Sequence, residues 1–119
     1  MALPGYLRHP HLRGDTLVFT AEDDVWTAPL TGGRAHRLTA DAVPVRSPRL
    51  SPDGTRVAWA SRREGPMEVL VADLDGGPAR RLTWWGDDRT RPCGWDGDDV
   101  LVVAADGPYA GRRTWAHAV

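Results

Sequence analysis

The chain is 119 residues long with 15 arginines, 16 acidic residues and a net charge of −1, which is the size of one packing unit or a piece of one and excludes a multidomain enzyme. The two signs alternate along the whole chain, which argues against a nucleic-acid or anionic-membrane footprint. Leu, Val and Phe are sparse, but near-zero net charge and six tryptophans favour a folded chain whose thin aliphatic core is helped by Trp. Lys, Ile, Asn and Gln are all missing, a bias we read as that of a GC-rich bacterial genome. The single Cys93 forms no intramolecular disulfide and suits a reducing compartment. The first ten residues lack the apolar core of a secretory signal, and no apolar run approaches the roughly 20 residues of a membrane span. These features predict a cytoplasmic location.

Taken in chain order, the apolar runs are short and paired. Leu17-Val18-Phe19 and Val25-Trp26 come first, then Val57-Ala58-Trp59 and Val69-Leu70-Val71, then Val100-Leu101-Val102-Val103 and Thr114-Trp115-Ala116. Between them lie Ser51-Pro52-Asp53-Gly54, Arg63-Glu64-Gly65-Pro66, Asp75-Gly76-Gly77 and Asp96-Gly97-Asp98, where Gly supplies positive φ, Pro presets φ and Asp bonds back to its own turn. The string Gly32-Gly33-Arg34-Ala35-His36-Arg37-Leu38-Thr39 returns as Gly76-Gly77-Pro78-Ala79-Arg80-Arg81-Leu82-Thr83, 44 residues later with six of eight positions identical. Pro48 recurs at the same offset as Pro92, and Pro10-His11-Leu12 matches Pro48-Arg49-Leu50. The repeating unit is a proline-led strand, two apolar strands and a Gly-Gly turn into an Arg-Leu-Thr strand. No stretch sustains a 3.6-residue period, so the predicted class is all-β. A four-stranded unit of this length is the size of a β-propeller blade. The expected middle strands cover 16–20 and 24–29, 56–61 and 67–73, and 99–105 and 113–118. The expected domain is one incomplete β-propeller, with blade 1 over about 6–39, blade 2 over about 46–83 and a partial blade 3 over about 91–119.

Tyr6-Leu7-Arg8-His9-Pro10, Gly14-Asp15-Thr16-Leu17-Val18-Phe19 and Glu22-Asp23-Asp24-Val25-Trp26 resemble the opening of the tricorn protease family. Ser47-Pro48-Arg49-Leu50-Ser51-Pro52-Asp53-Gly54 and Gly76-Gly77-Pro78-Ala79-Arg80-Arg81-Leu82-Thr83 are similar to its propeller repeat, which TolB-like and prolyl-oligopeptidase propellers share more loosely. Arg113-Thr114-Trp115 narrows the resemblance to tricorn, and it covers essentially the whole chain. The resemblance implies a large cytosolic assembly with a six-bladed propeller, a seven-bladed one and a catalytic half bearing Ser and His, of which this chain is the first two and a half blades. The catalytic half has no counterpart here, so no catalytic residue carries over. The implied partners are the remaining propeller and catalytic domains of a parent protein, or a second copy of the chain, with peptides as the small ligand. The implied role is scaffold and gated passage; the alternatives are a stand-alone interaction module that self-assembles, and a serine peptidase by virtue of its parent gene.

The residues themselves point the same way. His9 and His11, two apart in a strand, are expected to share a face, which suits zinc, yet no third ligand stands nearby, so they read as surface or pore-facing histidines. Glu22-Asp23-Asp24, Asp87-Asp88 and Asp96-Gly97-Asp98-Asp99 resemble fragments of calcium loops but lack the alternating ligands that such a loop needs, and read as turn caps. Ser47, Ser51 and Ser61 fit strand or turn positions, and Cys93 beside Gly94 reads as a small packed residue; neither Gly-x-Ser-x-Gly nor Ser-x-x-Lys occurs. The Arg pairs at 62 and 63, 80 and 81, and 112 and 113 suit anion clamps or, by preference, cross-strand ion pairs. Trp84-Trp85 suits an aromatic platform or, by preference, packing between blades or in a loop. The expectation is therefore a chain with no catalytic, cofactor-binding or metal residue.

Overall fold

The computed structural model describes residues 7–105 and 114–119. Among the described residues, eleven strands form three antiparallel sheets in chain order. The first holds β1 (Arg8–Arg13), β2 (Thr16–Ala21), β3 (Asp24–Pro29) and β4 (His36–Arg37). The second holds β5 (Val45–Leu50), β6 (Arg56–Ser61), β7 (Glu68–Asp73) and β8 (Arg80–Arg81). The third holds β9 (Arg91–Asp96), β10 (Asp99–Ala105) and β11 (Thr114–Ala118). Each sheet is an up-and-down meander, and no helix occurs among the described residues. This is a partial β-propeller, and the apolar runs fall on β2, β3, β6, β7, β10 and β11 as the sequence predicts. Tyr6, Arg112 and Arg113 lie outside the described residues.

The core sits between the sheets. Val18 and Val25 from the first sheet meet Val45, Leu50, Val57, Trp59 and Leu70 from the second. On the other side of the second sheet, Ala58 and Val69 meet Val100 and Val102 of the third. Successive residues of a strand point to opposite faces, so a sheet packed on both sides must be apolar at consecutive positions. That is why Val57, Ala58, Trp59 and Ala60 are all fully buried.

Two expectations need correction. The prolines do not lead their strands but sit inside them, at a bulge. One extra residue enters β1 between Arg8 and His11, β5 between Arg46 and Arg49, and β9 between Pro92 and Gly94. Proline has no N–H to give a ladder, and a bulge is where a strand tolerates that loss. His9 at φ 53° and Ser47 at φ 57° are the bulge residues of the first two sheets. The Arg-Leu-Thr segment is also not a full three-residue strand: strand pairing covers Arg37 and Arg81, one further backbone bond runs from the Leu38 and Leu82 amides to the Val25 and Val69 carbonyls at 2.7 and 2.8 Å, and side-chain bonds take over at the Thr.

Candidate functional site

The Thr of each repeat closes its sheet through a side chain. Thr39 Oγ1 accepts from the Val25 amide at 3.0 Å and donates to Asp24 Oδ1 at 2.7 Å. Thr83 Oγ1 accepts from the Val69 amide at 3.0 Å and donates to Glu68 Oε1 at 2.8 Å. Arg37 and Arg81 then pair with the same two carboxylates, at 3.5 and 3.0 Å. Glu68, one methylene longer, also accepts from the amides of Trp85 and Gly86 at 3.0 and 3.1 Å. Burial works to raise the Glu68 carboxyl, but the donors Thr83, Gly86, Trp85 and Arg81 together outweigh it and hold it below the ordinary carboxylate range. Sequence reasoning missed Asp24 and Glu68 in this role. The legible signal was an acid 15 residues before each Thr.

The loop that Glu68 anchors exposes Trp84 and Trp85, by 68% and 40%. Of the expected packing between blades or in a loop, each tryptophan takes one part: Arg81 lies over the Trp84 ring at 5.0 Å within the loop, and Trp85 reaches the next sheet, its ring centroid 4.9 Å from that of His117. The other expected groups are dispersed. Glu22 and Asp23 form the two-residue turn between β2 and β3, both at positive φ. Asp98 and Asp88 pair with Arg56 and Arg62 at 2.7 and 3.1 Å, and Arg63 with Asp41 at 3.8 Å, so the 62–63 pair serves ion pairs. Ser47, Ser51 and Ser61 are buried; Ser51 Oγ donates to Asp53 and accepts from the Arg56 amide, and Ser61 Oγ accepts from the Arg63 amide. Cys93, expected to be packed, is exposed instead, because it is the extra residue of the β9 bulge, and its Sγ lies 3.4 Å from the Leu101 carbonyl. Among the described residues no group of three or more His, Cys, Asp or Glu is placed to hold a metal.

The first strands of neighbouring sheets are joined by side-chain hydrogen bonds. The largest contacts between sheets run between first strands, β1 against β5 and β5 against β9, with β2 and β3 also against β5, and β6 and β7 against β9. The Arg49–Leu50 peptide is held from both sides: Leu50 N–H donates to His11 Nδ1 at 2.9 Å, and Trp95 Nε1–H donates to the Arg49 carbonyl at 3.0 Å. The bulge breaks the alternation that would put His9 and His11 on one face; His11 turns to β5 while His9 stays exposed. Partial burial, Arg49 and Arg13 hold His11 below its ordinary value, and burial with Arg8, Arg46 and Arg49 does the same to His9. At the outer edge, an open groove of about 440 Å³ is lined by Arg56, Val71, Ala72, Asp73, Pro78 and Arg80, and it brings no nucleophile together with a base.

The three-sheet meander with inner-strand contacts and Thr closures is matched along its length by a known family, the tricorn protease N-terminal beta propeller domain, over residues 4–119. The chain belongs to that family. Tricorn protease homolog 1 of Streptomyces coelicolor is 57% identical over 119 residues, covering 99% of this chain and 11% of that protein. Putative tricorn protease homolog 2 of the same organism is 48% identical over 126 residues, covering 100% of this chain and again 11% of the relative. The chain thus spans about a tenth of the length of these relatives. Among solved structures, that of the tricorn protease superposes with TM-score 0.73 at 22% identity, over 85% of this chain and 11% of its own. The beta-propeller domain of the trilobed protease from Pyrococcus furiosus, described as having an open velcro topology, superposes with TM-score 0.63 at 23% identity, over 92% and 37%. At these identities the likeness is one of fold. The match is to the N-terminal propeller part of a protease family.

Proposed function

We propose that the chain is a non-catalytic propeller section of a tricorn-like serine peptidase, serving as scaffold and as part of a gated passage for peptides. The observation that carries this reading is the match of residues 4–119 to the N-terminal propeller of a family whose relative is covered to 11% of its length. The scattering of the hydroxyls and the thiol supports it. Catalysis by Ser or Cys needs a base in hydrogen-bond reach and a third group to orient it, and Ser51 and Ser61 spend their oxygens on backbone and on Asp53. The partners are the remaining propeller and catalytic domains of a parent protein, in the cytoplasm, where the lone Cys93 stays reduced. No helix among the described residues is long and apolar enough to cross a membrane. Purified chain incubated with fluorogenic peptides is expected to release no fluorophore. Hydrolysis abolished by replacing Ser47, Ser51, Ser61 or Cys93 would overturn the reading.

A second reading, a self-assembling module, is favoured by one observation. The first sheet turns Leu12, Leu17 and Trp26 away from the second, with Leu12 48% exposed. A second copy is the partner that buries such a face without any other chain.

A further inference from the structure

The strand registers superimpose three arginines that no constant spacing connects. Arg8 of β1 pairs with Thr20, which pairs with Val25. Arg46 of β5 pairs with Ala60, which pairs with Val69. Val25 and Val69 are equivalent, since both give their amide to the closing Thr. Arg91 of β9 pairs with Val103. Val103 is the third-sheet counterpart of Ala60: it lies two residues after Leu101, which faces Gly94 just past the bulge as Ala58 faces Arg49. Arg8, Arg46 and Arg91 therefore stand at one position on three neighbouring first strands, each at the start of its strand and just ahead of the bulge. The charge is segregated as well. β1, β5 and β9 carry five arginines and one carboxylate, Asp96 at the far end of β9, in a chain whose net charge is −1.

The largest contacts between neighbouring sheets run between first strands, β1 against β5 and β5 against β9, and the blades of a propeller stand around a central channel. Two guanidiniums of this set bond to neutral carbonyls: Arg46 Nη2 to that of Asp88 at 3.1 Å and Arg91 Nη1 to that of Arg89 at 3.4 Å. The Asp88 carboxylate, which Arg46 also feels, is taken up by Arg62 at 3.1 Å. Arg49 adds a further cation on β5, bonded to the Pro48 carbonyl at 3.4 Å. Exposed His9 lies in the field of Arg8, Arg46 and Arg49. A guanidinium bonded only to a carbonyl keeps donors for a carboxylate, and a planar fork matches a carboxylate in bidentate fashion.

We propose that Arg8, Arg46 and Arg91 form an arginine belt on the inner wall that binds the carboxylates of an acidic peptide. The assignment names a ligand class for the passage read above and rests on that reading, but the two fail separately. Loss of the belt leaves a propeller section of a peptidase intact, and hydrolysis by the chain would sink that reading with the belt still measurable. The test is fluorescence anisotropy of fluorescein-labelled hexaglutamate against the full 119-residue chain, with labelled hexalysine as comparison. Hexaglutamate is expected to bind, to weaken with added salt and to outbind hexalysine. The Arg46→Glu/Arg91→Glu double variant is expected to lose roughly tenfold or more in affinity. Arg46→Gln/Arg91→Gln, which keeps the side-chain stems and adds no charge, is expected to weaken binding in the same direction, with circular dichroism confirming an unchanged melt. Arg34→Glu, on the outer Gly-Gly turn, is expected to leave binding unchanged. Equal binding by wild type and a folded Gln double variant would overturn the proposal, as would an equal loss in Arg34→Glu. Displacement of the peptide by equimolar inorganic phosphate would overturn the peptide assignment.

Discussion

At the scale of single residues, the side chains that define the repeat act on the backbone. Asp53 sits in the turn between β5 and β6, where the Ser51 hydroxyl, the Thr55 amide and the Thr55 hydroxyl all donate to Oδ1 at 2.7 to 3.1 Å. These bonds, with Ser51 first, hold its carboxyl down at about 2. A carboxyl held below its unfolded value stabilises the fold above that value and loses the contribution as pH falls toward the folded one. Thermal unfolding followed by circular dichroism is therefore expected to show a falling midpoint between about pH 4 and pH 2, and Asp53→Ala is expected to flatten that limb. Thr83→Val leaves the Val69 amide without its acceptor inside the blade and takes one of two donors from Glu68 Oε1, which keeps the Trp85 amide. A cost of about 1–3 kcal/mol follows for a buried polar group left unsatisfied, read from urea midpoints. Thr39→Val is expected to cost a similar amount in the first sheet, and the double variant to approach the sum, because the two closures share no partner.

At the scale of elements, turns and interlocks carry the energetics. The β2–β3 hairpin turns on Glu22 and Asp23, with φ of 53° and 61°, the geometry in which Asn-Gly is preferred and ordinary side chains are strained. Glu22→Asn with Asp23→Gly is expected to stabilise the chain by about 1 kcal/mol. The lost Arg37–Glu22 pair, 3.4 Å and exposed, offsets little of that. The peptide held between His11 and Trp95 sets a second expectation. Protonation of His11 Nδ1 removes the acceptor for Leu50, and burial with Arg49 and Arg13 keeps His11 below its ordinary value in the fold. The stabilisation is thus complete above about pH 6.5 and fades as pH falls below it. His11→Ala is expected to remove that dependence, checked by unfolding midpoints from pH 7.5 down to 5. The predicted pairing of His9 with His11 on one face failed at this scale, because alternation holds only in an unbulged strand.

At the scale of the whole molecule, each sheet hides its apolar residues against a neighbour, and the second is covered on both sides. The first sheet presents Leu12, Leu17 and Trp26 outward. Burial is worth roughly 25 cal/mol per Å² of apolar surface, so a few hundred Å² favours association by several kcal/mol before the cost of association is subtracted. Light scattering coupled to size exclusion at micromolar concentration is expected to show particles heavier than the 13.0 kDa chain. A monodisperse particle of that mass with one sharp unfolding transition would contradict the expectation.

The sequence by itself determined the all-β class, the repeat and the positions of the middle strands. Those depend on local turn chemistry and on runs such as Val57 to Ala60, which are apolar at consecutive positions because both faces of their sheet are covered. It also carried the residues that resemble the tricorn propeller. What the tertiary structure decided was which side chains meet. The acid and Thr of each closure are 15 residues apart and become partners only when the third strand brings its first residue beside the end of the fourth. The bulges at His9, Ser47 and Cys93 depend on pairing across strands, so a proline that reads as a strand start proves to interrupt one. Arg8, Arg46 and Arg91 lie at unequal intervals because the linkers between sheets differ in length. Only hydrogen-bond register, which counts residues across a sheet and not along the chain, puts the three on one level.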